Sequence, residues 1–428
     1  MKSVFFLPTN RSIEKCVKSY ILEVNYAKEK LQCDIPLVIV ETNKESFTEE
    51  NKKIIIELQK QYKDLEMIHL TVEDQKKYFE KLFEDMDPEI KEIFEETETN
   101  YGTAMNKLGL FTCSLGGDAF HRRDSDTRLC FSEFKEAEEK YPIEVEMNFL
   151  GKKVSELPSE LTENKVQEGD IWVVGGNYFG EWNLDVKDFS REQIYKLYQL
   201  LGFEEDSIEE ICAEAFQEQA EFFQRDDLSL VTSVNDGLNP DCGNVSVYRL
   251  FEELPNVPGK NTLAADYFMF DTATALGLPV IHHTREVFHE YHSDRFQMEK
   301  KKRYWYGIAK FADYFNLYMK IYNSKEFYNN NYGKSWDEIR ENIIDIVQGF
   351  ILEDVIKREE RIKDIAQDVL RSGDEKYFPI ADELQKNASK YIEESNKDYQ
   401  RQILLLKNWK NIIKKAKKIE LRDFVDQK

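Results

Sequence analysis

Two carboxylates stand two residues apart at Asp124-Ser125-Asp126, directly after the basic run His121-Arg122-Arg123. In an extended or turn conformation, side chains at i and i+2 point to the same side. The pair could therefore share one hard divalent cation, Mg²⁺ or Mn²⁺, directly or through water. Such an ion beside a diphosphate neutralises the charge that builds on a departing group. The competing interpretation is a structural loop whose acids are salt-bridged to Arg122, Arg123 and Arg128. By itself an Asp-x-Asp is a weak signal in an acidic chain.

Four of the six histidines, His282, His283, His289 and His292, fall within eleven residues and are interleaved with Arg285 and Arg295. Imidazole suits borderline metals, and arginine forks suit phosphate. His282 and His283 follow the strand-like Leu278-Pro279-Val280-Ile281 and are the candidate metal ligands, whereas the spacing of His289 and His292 reads as a helix surface. In Tyr101–Lys107 a small-residue turn opens a helix bearing Asn106 and Lys107 in its first turns. Helix N-termini favour anions, and Asn106 could bond a ribose or sugar hydroxyl. Gly175-Gly176 after Ile171–Val174 permits a close backbone approach to a ligand or a plain hairpin turn. Glu181 and Asp185 beyond them offer further carboxylates, with Glu181 a candidate catalytic acid. Asp266 and Asp271 flank the start of an apolar helix ending at Gly277. Of these two acids, Asp266 is the candidate general base for an acceptor hydroxyl. An acid stabilised by the helix dipole is the structural alternative.

These residues need elements to position them. Val4–Leu7 reads as a short strand stopped by Pro8, and Ser12 as the N-cap of a helix with apolar residues from Ile13 to Leu31 on one face. Pro36–Glu41 is a continuous β-branched run, the pattern of a buried parallel strand. Thr48–Tyr62 is helical, Met67–Leu70 a third strand, and Thr71–Asp74 a capping box opening an acidic helix. A helix over 103–115 then leads into Ala119-Phe120-His121. Alternating strands and helices imply an α/β fold with a parallel sheet and right-handed crossovers. In such sheets ligands sit at the carboxyl ends of strands. The polar groups Thr9-Asn10-Arg11, Glu41-Thr42-Asn43 and Asp124–Asp126 fall at those ends. The expected organisation is an alternating α/β half over 1–130, a half of short strands and turns over 131–305 and a helical region over 306–428.

Composition narrows the function classes. A net charge of −23 repels phosphate backbones and argues against nucleic acid as a partner, though not against a local basic spot. No apolar run reaches the roughly 18–20 residues that span a bilayer. Val4–Leu7 is shorter than the ~7–15-residue core of a signal peptide. The expected address is cytoplasmic. The six cysteines are widely spaced with no CxxC pair, as expected of reduced core residues.

Taken in order, the segments resemble the GT-A glycosyltransferase plan. Phe6–Arg11 (FLPTNR) resembles its first-strand nucleotide contact, with Pro8, Thr9, Asn10 and Arg11. Leu37–Asn43 resembles the second-strand segment whose acid, here Glu41, touches base or ribose. Gly102–Gly109 resembles its small-residue helix start, without the usual arginine before Asn106. Asp124–Asp126 resembles the metal-binding DxD, Asp266 the acceptor-side acid, and His282 or His283 the late metal-reaching histidine. The string from Asn100 to Asp126 also resembles an uncharacterised bacterial family with an Asn-Tyr-Gly…Asn…His-Arg-Arg-Asp-Ser-Asp core.

The resemblance implies a GT-A fold and a transferase moving a sugar from a nucleoside-diphosphate sugar, a UDP-sugar first, to an acceptor that the sequence does not name. Arg123 and Asp124 would lie beside the diphosphate, and Arg285 or Arg295 would help it leave. On this plan 1–130 is the nucleotide-sugar-binding half and 131–305 the acceptor-binding half; the C-terminal helices have no counterpart in it and would bind acceptor or a second copy of the chain. Two other interpretations use the same residues. A nucleotidyltransferase needs metal and carboxylates too, but usually carries a Gly-rich loop after strand one, where this chain has Pro-Thr-Asn-Arg. A non-catalytic scaffold would keep the fold and use the helical end for interaction.

Overall fold

The computed structural model describes residues 1–428 apart from 43–46, 97, 136, 159–160, 162–167, 181–187, 217–225, 235–237, 291–296, 323 and 426–428. Glu181, Asp185, His292 and Arg295 lie outside the described residues. Among the described residues nine strands form one sheet: β1 (Ser3–Thr9), β2 (Leu37–Glu41), β3 (Met67–Leu70), β4 (Ala119–Arg123), β5 (Thr127–Leu129), β6 (Val173–Gly180), β7 (Leu228–Leu230), β8 (Asn244–Tyr248) and β9 (Val280–His289). Their order is β3-β2-β1-β4-β8-β6-β9-β5, with β7 also pairing β9.

The first four strands run parallel, as their apolar runs and intervening helices require. β8 is antiparallel to β4 and β6, and β9 is parallel to β6. The sheet is therefore mixed, mainly parallel, flanked by helices and joined to a C-terminal helical region.

Strand alternation sends side chains to two faces. Val4, Phe6, Val38, Val40 and Phe120 face one core, packed by Tyr78 and Phe79 of the helix Val72–Leu82 and Phe111 of the helix Tyr101–Ser114. Phe5, Leu7, Leu37 and Ile39 face the other, against Val17, Tyr20, Ile21 and Val24 of the helix Val17–Leu31. Each large apolar side chain buried this way contributes about 1.5–3 kcal/mol.

The C-terminal helices close the first face. In the 39-residue helix Phe378–Ala416, Tyr399, Leu405 and Trp409 belong to the same core as Phe6 and Phe120. Trp409 Nε1 donates to the Phe251 carbonyl at 2.9 Å, and the Ser114 hydroxyl donates to the Ala416 carbonyl at 2.8 Å.

Local expectations hold at Thr71, whose side chain accepts from Asp74 N at 3.2 Å while Asp74 Oδ2 accepts from Thr71 N at 3.1 Å. They fail at two places. β1 continues through Pro8 to Thr9, because its pairing with β4 ends at Phe6 and one edge then needs no ladder donor. Ser12 does not cap the first helix, which begins at Val17 after a turn from Ile13, and its hydroxyl instead donates to Glu50. All six cysteines are free, and all but Cys33 are buried.

Candidate active site

Strand direction decides what meets at the rim. β1, β2 and β4 point the same way, so Thr9-Asn10-Arg11, Glu41 and Asp124 emerge side by side. β6 and β9 share that direction and bring Tyr178 and His289. β8 runs against them, so the residues just before it, Asp241, Cys242 and Gly243, reach the same rim from the opposite sense.

Arg122 stands at the centre. Its Nε and Nη2 each lie 3.0 Å from Asp124 Oδ1, and its Nη1 donates to Asp266 Oδ2 at 3.1 Å. Asp124 Oδ2 accepts from the Tyr178 hydroxyl at 3.1 Å, and that hydroxyl oxygen accepts from Gly243 N at 2.7 Å. A Cβ on Gly243 would sit 2.3 Å from the Tyr178 oxygen and 2.7 Å from the Asp124 carboxyl carbon, so glycine is what lets the three meet.

Asp126 Oδ2 lies 3.1 Å from Arg11 Nη1 and 3.7 Å from His289 Nε2. The His289 ring stacks on Tyr178 with centroids 5.1 Å apart. Asp241 accepts from Tyr178 N at 2.8 Å on one oxygen and from the Tyr267 hydroxyl at 2.8 Å on the other.

The electrostatics follow these partners. Burial pushes Asp126 up, but the nearby His289 imidazole and the charge of Arg11 outweigh it and hold the carboxyl below its ordinary range. Burial dominates at Asp124 and raises it, with Arg122 opposing and Asp126 and Asp266 adding repulsion. Burial also brings Asp241 up to about 6, against the hydrogen bonds from Tyr178 and Tyr267 and the charge of His289.

Other expected site residues stand elsewhere or are already engaged. Arg123 alternates to the opposite face of β4, where it is 0% exposed. There it lies 2.7 Å from Glu23 and 2.9 Å from Glu146. His121 Nδ1 is 2.6 Å from Glu146 Oε2, and His283 Nε2 is 3.9 Å from Glu146 Oε1. Arg123 and His283, expected at the diphosphate and the metal, thus belong to a sealed network under the sheet, and the arginine at the rim is Arg122. Burial lowers the His283 imidazole, against the pull of Glu146.

His282 Nε2 lies 3.1 Å from Asn177 Oδ1. The histidine beside Asp126 is His289, because β9 does not end near Ile281 but continues to His289. Six or seven residues of extended chain carry it roughly 20 Å further.

Arg285 donates to Glu144 at 2.6 Å, Asp226 at 2.9 Å and the Tyr141 carbonyl at 2.8 Å. Asn106 spends both ends of its amide on the backbone of Asn256, at 3.0 and 2.7 Å. Glu41 is at the rim but buried, its Oε1 bound by Asn51 at 3.0 Å and His69 at 2.9 Å. Thr9 folds the turn after β1, its hydroxyl bonding both the carbonyl and the N–H of Arg11. Asn10 Oδ1 accepts from Arg11 Nε at 3.1 Å. Gly175 and Gly176 lie inside β6, where a Cβ would come within 2.5 Å of the Asn244 and His283 carbonyls, so they serve strand packing.

Residues 2–425 match one family over nearly the whole chain, that described as a family of unknown function, DUF6271. The chain belongs to this family. No curated protein sequence matches it. Among solved structures, it is similar to residues 1–349 of TarS from S. aureus at 10% identity and TM-score 0.34, over 90% of this chain and 91% of that one. A mannosyltransferase, PcManGT from Pyrobaculum calidifontis in complex with GDP-Man and Mn²⁺, gives 12% identity and TM-score 0.38, over 99% and 87%. A longer TarS chain gives 12% and 0.35, over 95% of this chain and 55% of that one.

Among the described residues no three His, Cys, Asp or Glu side chains converge closely enough to hold a metal ion. Asp126 and His289 nonetheless present an oxygen and a nitrogen 3.7 Å apart. Asp124, Asp126, Asp241 and Asp266 also outnumber the two rim arginines. Mg²⁺-like ions commonly take only one or two carboxylates and complete their shell with water and phosphate oxygens, so the donor set fits such an ion. The Arg11–Asp126 pair is partly exposed, at 28% and 18% of its side chains, and so is open to the rim rather than sealed under the sheet.

Proposed function

We propose that the chain transfers a glycosyl group from a nucleoside-diphosphate sugar, with the rim of Asp124, Asp126, Arg11, Arg122 and His289 as its donor site. The observation carrying this reading is the pairing of an acid–histidine couple with two guanidiniums at the carboxyl edge of the parallel strands. Guanidinium forks suit phosphate oxygens, and the carboxylate–imidazole couple suits a divalent cation. Asp126 and His289 would hold the ion with Asp124 beside it, and its chemistry would be charge neutralisation on the departing diphosphate.

Arg122 adds a fixed positive charge at the same place, held in aim by Asp124 and Asp266. Arg11, released from Asp126, is free to meet a second phosphate. Glu41, fixed by Asn51 and His69, lies at the nucleoside side next to Thr9. No helix among the described residues is long and apolar enough to cross a membrane.

Isothermal titration with UDP, GDP and ADP, each with and without Mn²⁺, tests the donor assignment. The expected result is Mn²⁺-enhanced binding of at least one nucleoside diphosphate, weakened about tenfold or more in Asp126→Ala. No binding of any of them under either condition would end the proposal.

A further inference from the structure

Four carboxylates ring the centre of the rim, and three are bound by arginine: Asp124 and Asp266 by Arg122, at 3.0 and 3.1 Å, and Asp126 by Arg11 at 3.1 Å. Asp241 differs. Both of its oxygens are held by neutral donors, the Tyr178 N–H and the Tyr267 hydroxyl. It stays partly exposed, whereas Asp266 is 5% exposed.

Each carboxylate oxygen has about two acceptor positions. One neutral hydrogen bond per oxygen therefore leaves Asp241 able to accept from an incoming hydroxyl with its charge uncancelled. Tyr178 also ties the two halves of the site together, since its N–H holds Asp241 while its hydroxyl holds Asp124. Asp241 is thereby tied through a single residue to the loop of Asp124 and Asp126.

We infer that Asp241, rather than Asp266, is the base that takes the proton of the acceptor hydroxyl, an assignment that rests on the transfer reading above. The acceptor O–H proton passes to the Asp241 carboxylate. The hydroxyl oxygen's electron pair forms the new bond to the anomeric carbon. The bond from that carbon to the diphosphate oxygen breaks, and its electrons leave with the nucleoside diphosphate. Asp266 is then a positioning residue, acting through Arg122.

The groups facing Asp241 from the surrounding elements are Tyr178 on β6, Tyr267 before the helix Phe268–Ala275, His289 at the end of β9 and Asp124 after β4.

The test uses the full chain, Mn²⁺, and UDP-hexoses and GDP-mannose as donors, with water as the acceptor. Release of nucleoside diphosphate is followed beside donor binding by calorimetry. Asp241→Asn is expected to bind donor within about twofold of wild type and to lose about 100-fold or more in kcat, with Asp241→Glu recovering part of the loss. Asp266→Asn is expected to act on KM through Arg122. Tyr267→Phe removes a hydrogen bond that favours the charged carboxylate and is expected to move the acid limb of kcat to higher pH, a result available even if Asp241→Asn folds poorly.

Asp241→Asn turning over at near wild-type kcat, or Tyr267→Phe leaving the acid limb in place, overturns the assignment. If wild type binds none of these donors, the calorimetry alone registers that the transfer reading has failed, and the base assignment falls with it.

Discussion

Arg122 and Arg123 are neighbours in sequence, yet they lie on opposite faces of one strand and do opposite kinds of work. Arg122 reaches the rim, where Asp124 is 24% exposed and a ligand could compete for the guanidinium. Arg123 is sealed among Glu23, Glu146 and the buried His121, each 0% exposed. The comparison teaches that position on the pleat, more than residue type, separates a group that can exchange partners from one that can only hold the fold.

Breaking the sealed side should cost most. Arg123→Ala leaves two buried carboxylates uncompensated, and urea unfolding is expected to show a loss of about 3–5 kcal/mol. Arg122→Ala sharpens the contrast. Its stability loss is expected to be smaller, about 1–3 kcal/mol, while calorimetry should show nucleoside-diphosphate affinity falling about 100-fold.

The pH dependence of unfolding separates the faces further. Burial pushes Glu146 up, but Arg123 and His121 outweigh it and hold its carboxyl below the ordinary 4.5. A carboxyl with a lowered native pKa binds its proton more readily once unfolded. Its contribution is therefore full above pH 4.5 and is lost as pH falls below that. Glu146→Gln is expected to flatten this acid limb of the stability curve. The smallest effect belongs to Arg11→Gln. This partly exposed pair is expected to contribute about 1 kcal/mol, so thermal unfolding should shift by only a few degrees while donor binding weakens measurably.

Much of the scaffold is legible in the sequence. The β-branched run of β2 marks a strand buried on both faces, and short apolar runs mark β1 and β3. Thr71 and Asp74 announce a helix start by their own chemistry. The rim position of Asp124 and Asp126 follows from their place just after a strand.

What the sequence conceals are direction and length. Asp241 precedes β8, and periodicity does not reveal that β8 runs antiparallel, so the start of that strand and not its end faces the rim. The reach of β9 to His289 is hidden by polar residues from His282 onward, which read as the end of a strand. Arg122 and Arg123 look equivalent until the pleat assigns each a face. Gly243 shows no motif at all; its role emerges only where Tyr178 and Asp124 press against its backbone.

The most direct test of the rim as a cation–diphosphate site is the electron paramagnetic resonance signal of free Mn²⁺. Titrating the protein into Mn²⁺ mixed with UDP or GDP should diminish the free-ion signal below that of the same mixture without protein, and Asp126→Ala or His289→Ala should abolish this further loss while His283→Ala does not. A signal that wild-type protein leaves at the level of the nucleotide mixture alone, or a loss that depends on His283 and not on His289, would contradict the account.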